Sequence, residues 1–219
     1  MPDFKFEEAS PSTGLIFGLD EAGRGPWCGP VVAACVCWPN GKIAPDLASA
    51  INDSKKLSAT KREKLFPLIM QSNAIIGIGQ ASAQEIDNIN ILEASFLAMH
   101  RALEQVKSNG YTPAYALIDG NRLPRWNLPM QAVIGGDAKS LSIAAASIIA
   151  KVTRDHQMTE LAKQYPAYGW DKNAGYGTKV HIDALARYGI TPHHRKTYAP
   201  IAKLLQKEIC GQIYSPNAQ

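Results

Sequence analysis

Two adjacent carboxylates, Asp20 and Glu21, close an apolar run, and Asp119 and Asp137 each stand at or just beyond the end of another. Adjacent acids at a strand end repel each other unless a cation lies between them or one takes up a proton. Alone, such a pair followed by Ala22-Gly23-Arg24-Gly25-Pro26 reads equally as a solvated junction with glycines for the turn. Three strand ends on one edge of a sheet, however, can gather side chains that lie far apart in sequence. Four oxygen donors without a matching cysteine set favour hard ions, Mg²⁺ or Mn²⁺, over zinc. Two such ions about 4 Å apart are the usual apparatus for phosphodiester cleavage. Paired acids also serve glycoside hydrolysis, where one is protonated and one ionised. Four acids in a cationic surround, with no clustered aromatic platform for sugars, argue against that chemistry.

The elements that must position these acids can be read from apolar periodicity. Gly14 to Asp20 and Pro30 to Trp38 flank a glycine-rich segment too short for a helix, which predicts adjacent antiparallel strands. Asn73 to Ala81, Ala114 to Asp119 and Met130 to Ile134 supply three more. Thr60 with Glu63 has the form of a capping box ahead of Leu65, Leu68 and Ile69, with Pro67 expected to kink or shorten that helix. Leu92, Phe96, Met99, Leu103 and Val106 make the strongest helical stripe, closed by Gly110. From Leu141 to Lys163, Leu141, Ala145, Ile148, Ile149 and Val152 share one face while Ser147, Lys151 and Arg154 share a cationic one. Thr178 caps a helix that Gly189 stops, and Ile201 to Ile209 forms a last one. Leading strands followed by alternating helices and strands predict an α/β protein, a mixed β-sheet flanked by helices. The expected organisation is a short exposed lead-in over 1–13, one catalytic domain over 14–200, and a small C-terminal helical extension and tail over 201–219.

Composition bounds the function classes. The 219 residues are 46% hydrophobic and 19% charged, which excludes extensive disorder, and no apolar run reaches the roughly 18 residues of a membrane span. Met1 to Pro11 lacks the basic-then-apolar order of a secretory signal. Cys28, Cys35, Cys37 and Cys210 are too sparse for a disulfide framework, which predicts a reducing, cytoplasmic setting. The net charge of +4 is modest, but engaging four carboxylates with metal ions would double that excess and suit a polyanionic ligand.

Six segments in fixed order carry a resemblance: GLDEAGRGPWCGPVVAACV ending at Val36, DSKKLS (53–58), LIDG (117–120), GGDAKSLSIAAASIIAKVTRD (135–155), GYGTKVH (175–181) and HHRKTYAP (193–200). Together they resemble type 2 ribonuclease H, specifically the bacterial ribonuclease HII family. The resemblance implies a ribonuclease H-like sheet and a metal-binding catalytic set of Asp20, Glu21, Asp119 and Asp137. It implies endonucleolytic cutting of the RNA strand of RNA/DNA hybrids, and cutting 5′ of a ribonucleotide embedded in duplex DNA, with Mg²⁺ or Mn²⁺ as cofactor. Gly23, Arg24 and Gly25 match the family's loop that recognises the ribonucleotide's 2′-hydroxyl, a group that both donates and accepts and so marks RNA. This glycine-arginine-glycine sequence, rather than glycine-threonine-glycine, favours ribonuclease HII over ribonuclease HIII. Tyr176 matches the tyrosine that stacks on the following deoxyribose, although a tyrosine between glycines can equally pack on its own loop. Ser54 and Lys55 fall in the DSKKLS segment, and they, Lys139, Lys151 and Arg154 are candidate phosphate contacts that could also be plain surface. Asp155 is expected to pair locally, His181 to be packed, and the His193-His194-Arg195 cluster to be structural or to flank the substrate. A monomer is expected, and the C-terminal GQIYSPNAQ holds no identifiable clamp-binding motif. Two other classes stay open: a non-enzymatic hybrid-binding module, which would need no four-acid site, and a nuclease of the same broad fold that ignores the 2′-hydroxyl.

Overall fold

The computed structural model describes residues 1–213, with side chains to 206. Five strands, β1 (Leu15–Ala22), β2 (Val31–Cys37), β3 (Ile75–Ala81), β4 (Pro113–Asp119) and β5 (Met130–Val133), form one sheet in the order β3-β2-β1-β4-β5. The helices are α1 (Lys5–Glu8), α2 (Pro45–Ala50), α3 (Ala59–Met70), α4 (Ala83–Ser108), α5 (Leu141–Gln164), α6 (Trp170–Asn173), α7 (Lys179–Tyr188) and α8 (Ala199–Ile213). The first three strands pair antiparallel, whereas β1, β4 and β5 run parallel. The mixed sheet expected from the sequence is therefore present, with every strand in its expected place.

Alternation along the strands explains the two layers. Val31, Ala33, Cys35 and Cys37 of β2 face a core completed by Ala94, Ala98, Met99, Ala102 and Leu103 of α4. Ala34 and Val36 face the opposite core, built from α5 and α3. With both faces covered, β2 is apolar throughout and wholly buried. Gly18 in β1 allows α5 to approach, because a Cβ there would collide with the backbone at Ser142 and Ile143. A third apolar cluster unites Cys28, Met158, Tyr168, Trp170, Ala184, Leu185 and Ile201, so α6, α7 and α8 pack as a lobe against the later part of α5.

Four local readings are corrected. The lead-in is not simply exposed: Glu7 is buried, and its Oε1 accepts from the Ser140 hydroxyl (2.7 Å) and the Ser142 N–H (3.1 Å) at the start of α5. The cap of α3 is Ser58 rather than Thr60, accepting from the Lys61 N–H at 3.2 Å, and the helix continues through Pro67 to Met70 with Leu65 and Ile69 buried in the core. Helix α4 begins well before the apolar stripe, at a Ser82–Glu85 capping box. Asn90, at φ 67°, interrupts it and caps the second segment by accepting from Leu92 and Glu93, so the stripe reports only that segment. Finally, Arg154 does not belong to an exposed cationic face, being 1% exposed. The last predicted helix lies within α8, and residues 214–219 of the tail lie outside the described residues.

Candidate active site

Parallel pairing places the chemistry. Leu19 of β1 is in register with Ile118 of β4, so Asp20 and Asp119, one residue further on, emerge at the same sheet edge. Asp119 is in turn level with Val133 of β5, whose chain continues through a glycine pair into a 3₁₀ turn, Gly136–Ala138, that delivers Asp137. One carboxylate oxygen from each of Asp20, Asp119 and Asp137 lies within 4.8 Å of the others. Backbone donors fix the orientation: the Glu21 N–H donates to Asp20 Oδ1 and the Gly136 N–H to Asp119 Oδ1, both at 2.7 Å. Glu21 is adjacent but outside this trio, its Oε1 accepting from Arg24 Nη1 at 3.1 Å.

The trio is short of positive charge. Burial, reinforced by the charges of Glu21, Asp119 and Asp137, pushes the Asp20 carboxyl well above the ordinary carboxylate range. Burial and Asp119 raise Asp137 against the opposing pull of Lys55, whose ammonium lies 3.3 Å from Asp137 Oδ2. Burial raises Glu21 too, with Arg24 opposing. Buried oxygen donors that resist ionising together fit a hard divalent cation.

Asp20 and Asp119 of the trio line a groove of about 380 Å³, together with Glu21, Ser54, Lys55, Lys151 and Tyr176. Ser54 and Lys55 lie on a 3₁₀ turn capped by Asp53, and the Ser54 N–H donates to the Ser147 hydroxyl of α5 at 3.3 Å. Lys151 pairs with Asp155 at 2.7 Å, as expected. Lys139 does not reach the groove lining; its exposed ammonium donates to the Ile134 carbonyl at 2.7 Å. On the far wall, the Gly23–Gly25 turn faces the half-exposed Tyr176, and a Cβ on Gly25 would stand only 3.4 Å from the ring. Gly23 has φ +99°, and a side chain there would run into Arg154. The sequence model of the family described as Ribonuclease HII matches residues 17–201. A Ribonuclease HII of Paramagnetospirillum magneticum is 50% identical over 94% of this chain and 99% of its own length, and one of Sphingopyxis alaskensis is 53% identical over 87% and 91%.

This chain belongs to the ribonuclease HII family.

Among solved structures, the ribonuclease H2 of Pyrococcus horikoshii superposes with a TM-score of 0.69 at 28% identity, covering 88% of this chain and 98% of that one. The ribonuclease HII in a PCNA complex from Archaeoglobus fulgidus gives 0.65 at 25% identity, over 84% and 95%. A Bst ribonuclease HIII in complex with Mn²⁺, at 21% identity and 0.69 over 90% and 70%, shares the fold. Ribonuclease HII is a metal-dependent endoribonuclease of the ribonuclease H class, acting on RNA/DNA hybrids. No helix among the described residues is long and apolar enough to cross a membrane.

At the groove of this ribonuclease HII and behind it lie groups that helical and strand periodicity did not reveal: Arg154 and Arg62 line it, and Arg195 does not. Arg154 and Arg195 are both buried and make no ion pair among the described residues. Arg154 donates to the carbonyls of Pro30 (2.9 Å), Ala174 (2.9 Å) and Cys28 (3.0 Å), tying the segment before β2 to the one that carries Tyr176. Arg195 donates to Gly23 (2.6 Å), Arg24 (3.0 Å) and Gly29 (2.9 Å). Arg62 similarly holds the Ser54 and Leu57 carbonyls. The only sequence signal was HHRK, whose structural option is the one observed for His194 and Arg195.

His194 carries a measurable consequence. Burial, with a further contribution from His181, lowers it to about 4. In the unfolded chain a histidine titrates near ~6.5, so on acidification the unfolded state takes up this proton first. Its contribution to stability is complete above about pH 6.5 and falls away toward about pH 4, at up to ~1.4 kcal/mol per pH unit. Urea unfolding at pH 7 and pH 5 is expected to show this loss, and His194→Gln to reduce it; an unchanged slope in the variant would assign the loss to other groups.

Proposed function

We propose that this ribonuclease HII holds two divalent ions, Mg²⁺ or Mn²⁺, on Asp20, Glu21, Asp119 and Asp137, and hydrolyses the phosphodiester on the 5′ side of a ribonucleotide embedded in duplex DNA. The products are 5′-phosphate and 3′-hydroxyl ends, and the activity serves ribonucleotide excision repair and RNA primer removal. The reading further takes the protein as a cytoplasmic monomer. The observation that carries it is the meeting, in one groove, of Asp20, Glu21 and Asp119 with the Gly23–Gly25 turn and the Tyr176 ring, with Asp137 gathered beside Asp20 and Asp119. Divalent ions at such a site supply the acidity that readies a water for attack and stabilises charge on the departing oxygen.

The chain's own residues do the positioning. Asp20 and Asp119 are locked by backbone N–H groups, so their free oxygens point consistently into the groove. Lys55 and Lys151 line it and offer contacts to phosphates flanking the scissile one. Gly23 and Gly25 let the backbone approach a ribose closely enough for its main-chain groups to meet the 2′-hydroxyl. Tyr176 presents its ring to the next sugar, where a second 2′-hydroxyl would crowd it.

The test compares cleavage of an all-DNA duplex, the same duplex with one ribonucleotide, and a continuous RNA/DNA hybrid, each with Mg²⁺ and with chelator. Chelator-sensitive cutting confined to ribonucleotide-containing substrates is expected; cutting of the all-DNA duplex would overturn the reading. Tyr176→Ala is expected to lose an aromatic contact worth about 1–3 kcal/mol, a roughly tenfold to hundredfold effect on the single-ribonucleotide duplex. The loss should be smaller on the continuous hybrid, and Tyr176→Phe should retain most activity because the ring face makes the contact. Equal losses on both substrates would reduce Tyr176 to a structural role.

A further inference from the structure

His181 and His194 are wholly buried side by side, 0% and 1% exposed, and their contacts fix where their protons stand. The Thr191 backbone N–H donates to His194 Nδ1 at 2.8 Å, so Nδ1 bears the lone pair and the proton of the neutral ring lies on Nε2. That Nε2 is 2.9 Å from His181 Nε2, which must therefore accept. Trp170 Nε1, a donor only, reaches the same atom at 3.4 Å. The His181 proton is thus on Nδ1, which donates to the Tyr176 carbonyl at 3.0 Å. One pair of neutral tautomers satisfies the whole chain of contacts, from Thr191 through His194 and His181 to the backbone of Tyr176.

The neighbour of His194 acts in the other direction. Arg195 donates to the carbonyls of Gly23 and Arg24, and the Tyr198 hydroxyl donates to Arg24 as well. Two consecutive buried residues, His194 through His181 and Arg195 directly, therefore hold the two loops that meet where the Gly25 backbone faces the Tyr176 ring.

We infer that His181 is a positioning residue for substrate selectivity: its Nδ1–H bond to the Tyr176 carbonyl, in the tautomer that His194 selects, sets the distance between the Tyr176 ring and the Gly23–Gly25 turn. This rests on the reading of Tyr176 as the group that meets the sugar after the ribonucleotide. Selectivity is here the ratio of kcat/KM on a single-ribonucleotide duplex to that on a continuous RNA/DNA hybrid. The relay fixes a backbone carbonyl, and the spacing of the two loops should matter most where both sugars at a junction must be read at once.

The experiment separates the two ring nitrogens of His181. In His181→Asn the amide can stand in for Nδ1–H and keep the bond to Tyr176, whereas in His181→Gln it can stand in only for Nε2. Losing the bond to Tyr176 is expected to lower selectivity by about fivefold in His181→Gln, while His181→Asn stays within about twofold of the natural protein. In a Tyr176→Ala background, His181→Gln should change the ratio no further, because the effect passes through that ring. Equal losses in the Asn and Gln variants, or a further loss in the Tyr176→Ala background, overturns the inference. If Tyr176→Ala lowers selectivity and His181→Gln, with an unchanged melting temperature, does not, the inference fails and the reading of Tyr176 stands. If Tyr176→Ala itself leaves the ratio unchanged, both fail. Should the variants not fold, ¹⁵N NMR of the unmodified protein decides the relay directly: protonated Nδ1 on His181 and protonated Nε2 on His194 are expected, and the opposite tautomers overturn it.

Discussion

Asp119→Asn is expected to lower cleavage of a single-ribonucleotide duplex at least about a thousandfold, about 4 kcal/mol of barrier, while binding of the duplex in metal-free buffer is retained or strengthened. The asparagine oxygen can still accept the Gly136 N–H that Asp119 Oδ1 accepts at 2.7 Å, so the strand end should keep its shape. What disappears is one negative charge from three carboxylates gathered within 4.8 Å, and with it the attraction for cations at that spot. Removing it also lessens repulsion of incoming phosphates. Asp20→Asn makes the complementary point, since burial and three neighbouring acids already penalise its ionised form. In chelator that variant is expected to melt higher than the natural protein, by roughly 2–4 °C for each kcal/mol of relieved repulsion. Rates near those of the natural protein in saturating Mg²⁺ would remove either residue from the catalytic set.

The acids were legible because strands announce their own ends. Apolar runs stop at Asp20 and Asp119, and the same register that pairs Leu19 with Ile118 makes those ends coincide. Sequence could not say which acids of the four turn inward, and the structure gathers three while Glu21 faces Arg24. The larger gap concerns cations. A helical wheel assigns Arg154 to a face by its residue type, yet its environment is set by carbonyls of Cys28, Pro30 and Ala174, contributed from distant segments. A guanidinium surrounded by carbonyl acceptors can be buried without a carboxylate, and no periodicity within α5 records that. Glu7 was missed for the same reason, its partners Ser140 and Ser142 lying far along the chain. Local ambiguity accounts for the cap of α3, where Ser58 and Thr60 are both competent and only the path of the chain selects the first.

Arg195→Lys is expected to be the most damaging change outside the carboxylate set. The guanidinium is fully buried and spreads its donors over Gly23 (2.6 Å), Arg24 (3.0 Å), Gly29 (2.9 Å) and the Tyr198 hydroxyl (2.9 Å). Lysine keeps a charge but offers three donors from a single atom, which cannot span the same fork. Each buried carbonyl left without a partner costs about 1–3 kcal/mol, so losing two of them reaches the range where single substitutions become exceptional. At roughly 2–4 °C per kcal/mol, the melting temperature should fall on the order of 10 °C. The functional effect should be specific as well as general. Arg195 shapes the backbone of Gly23 and Arg24, and together with Arg154 it places two cations that make no ion pair among the described residues behind the Gly23–Gly25 turn, a field that favours phosphate. Arg195→Lys, assayed at a temperature where it remains folded, is therefore expected to lose affinity for the single-ribonucleotide duplex more than for Mg²⁺. Amide hydrogen exchange should show faster opening in residues 23–30 than in β4, which lies outside the network. Unchanged melting together with unchanged exchange over 23–30 would mean that the Gly23–Gly25 turn holds its shape without the guanidinium, and that the turn's own backbone, with Gly23 at φ +99°, is sufficient.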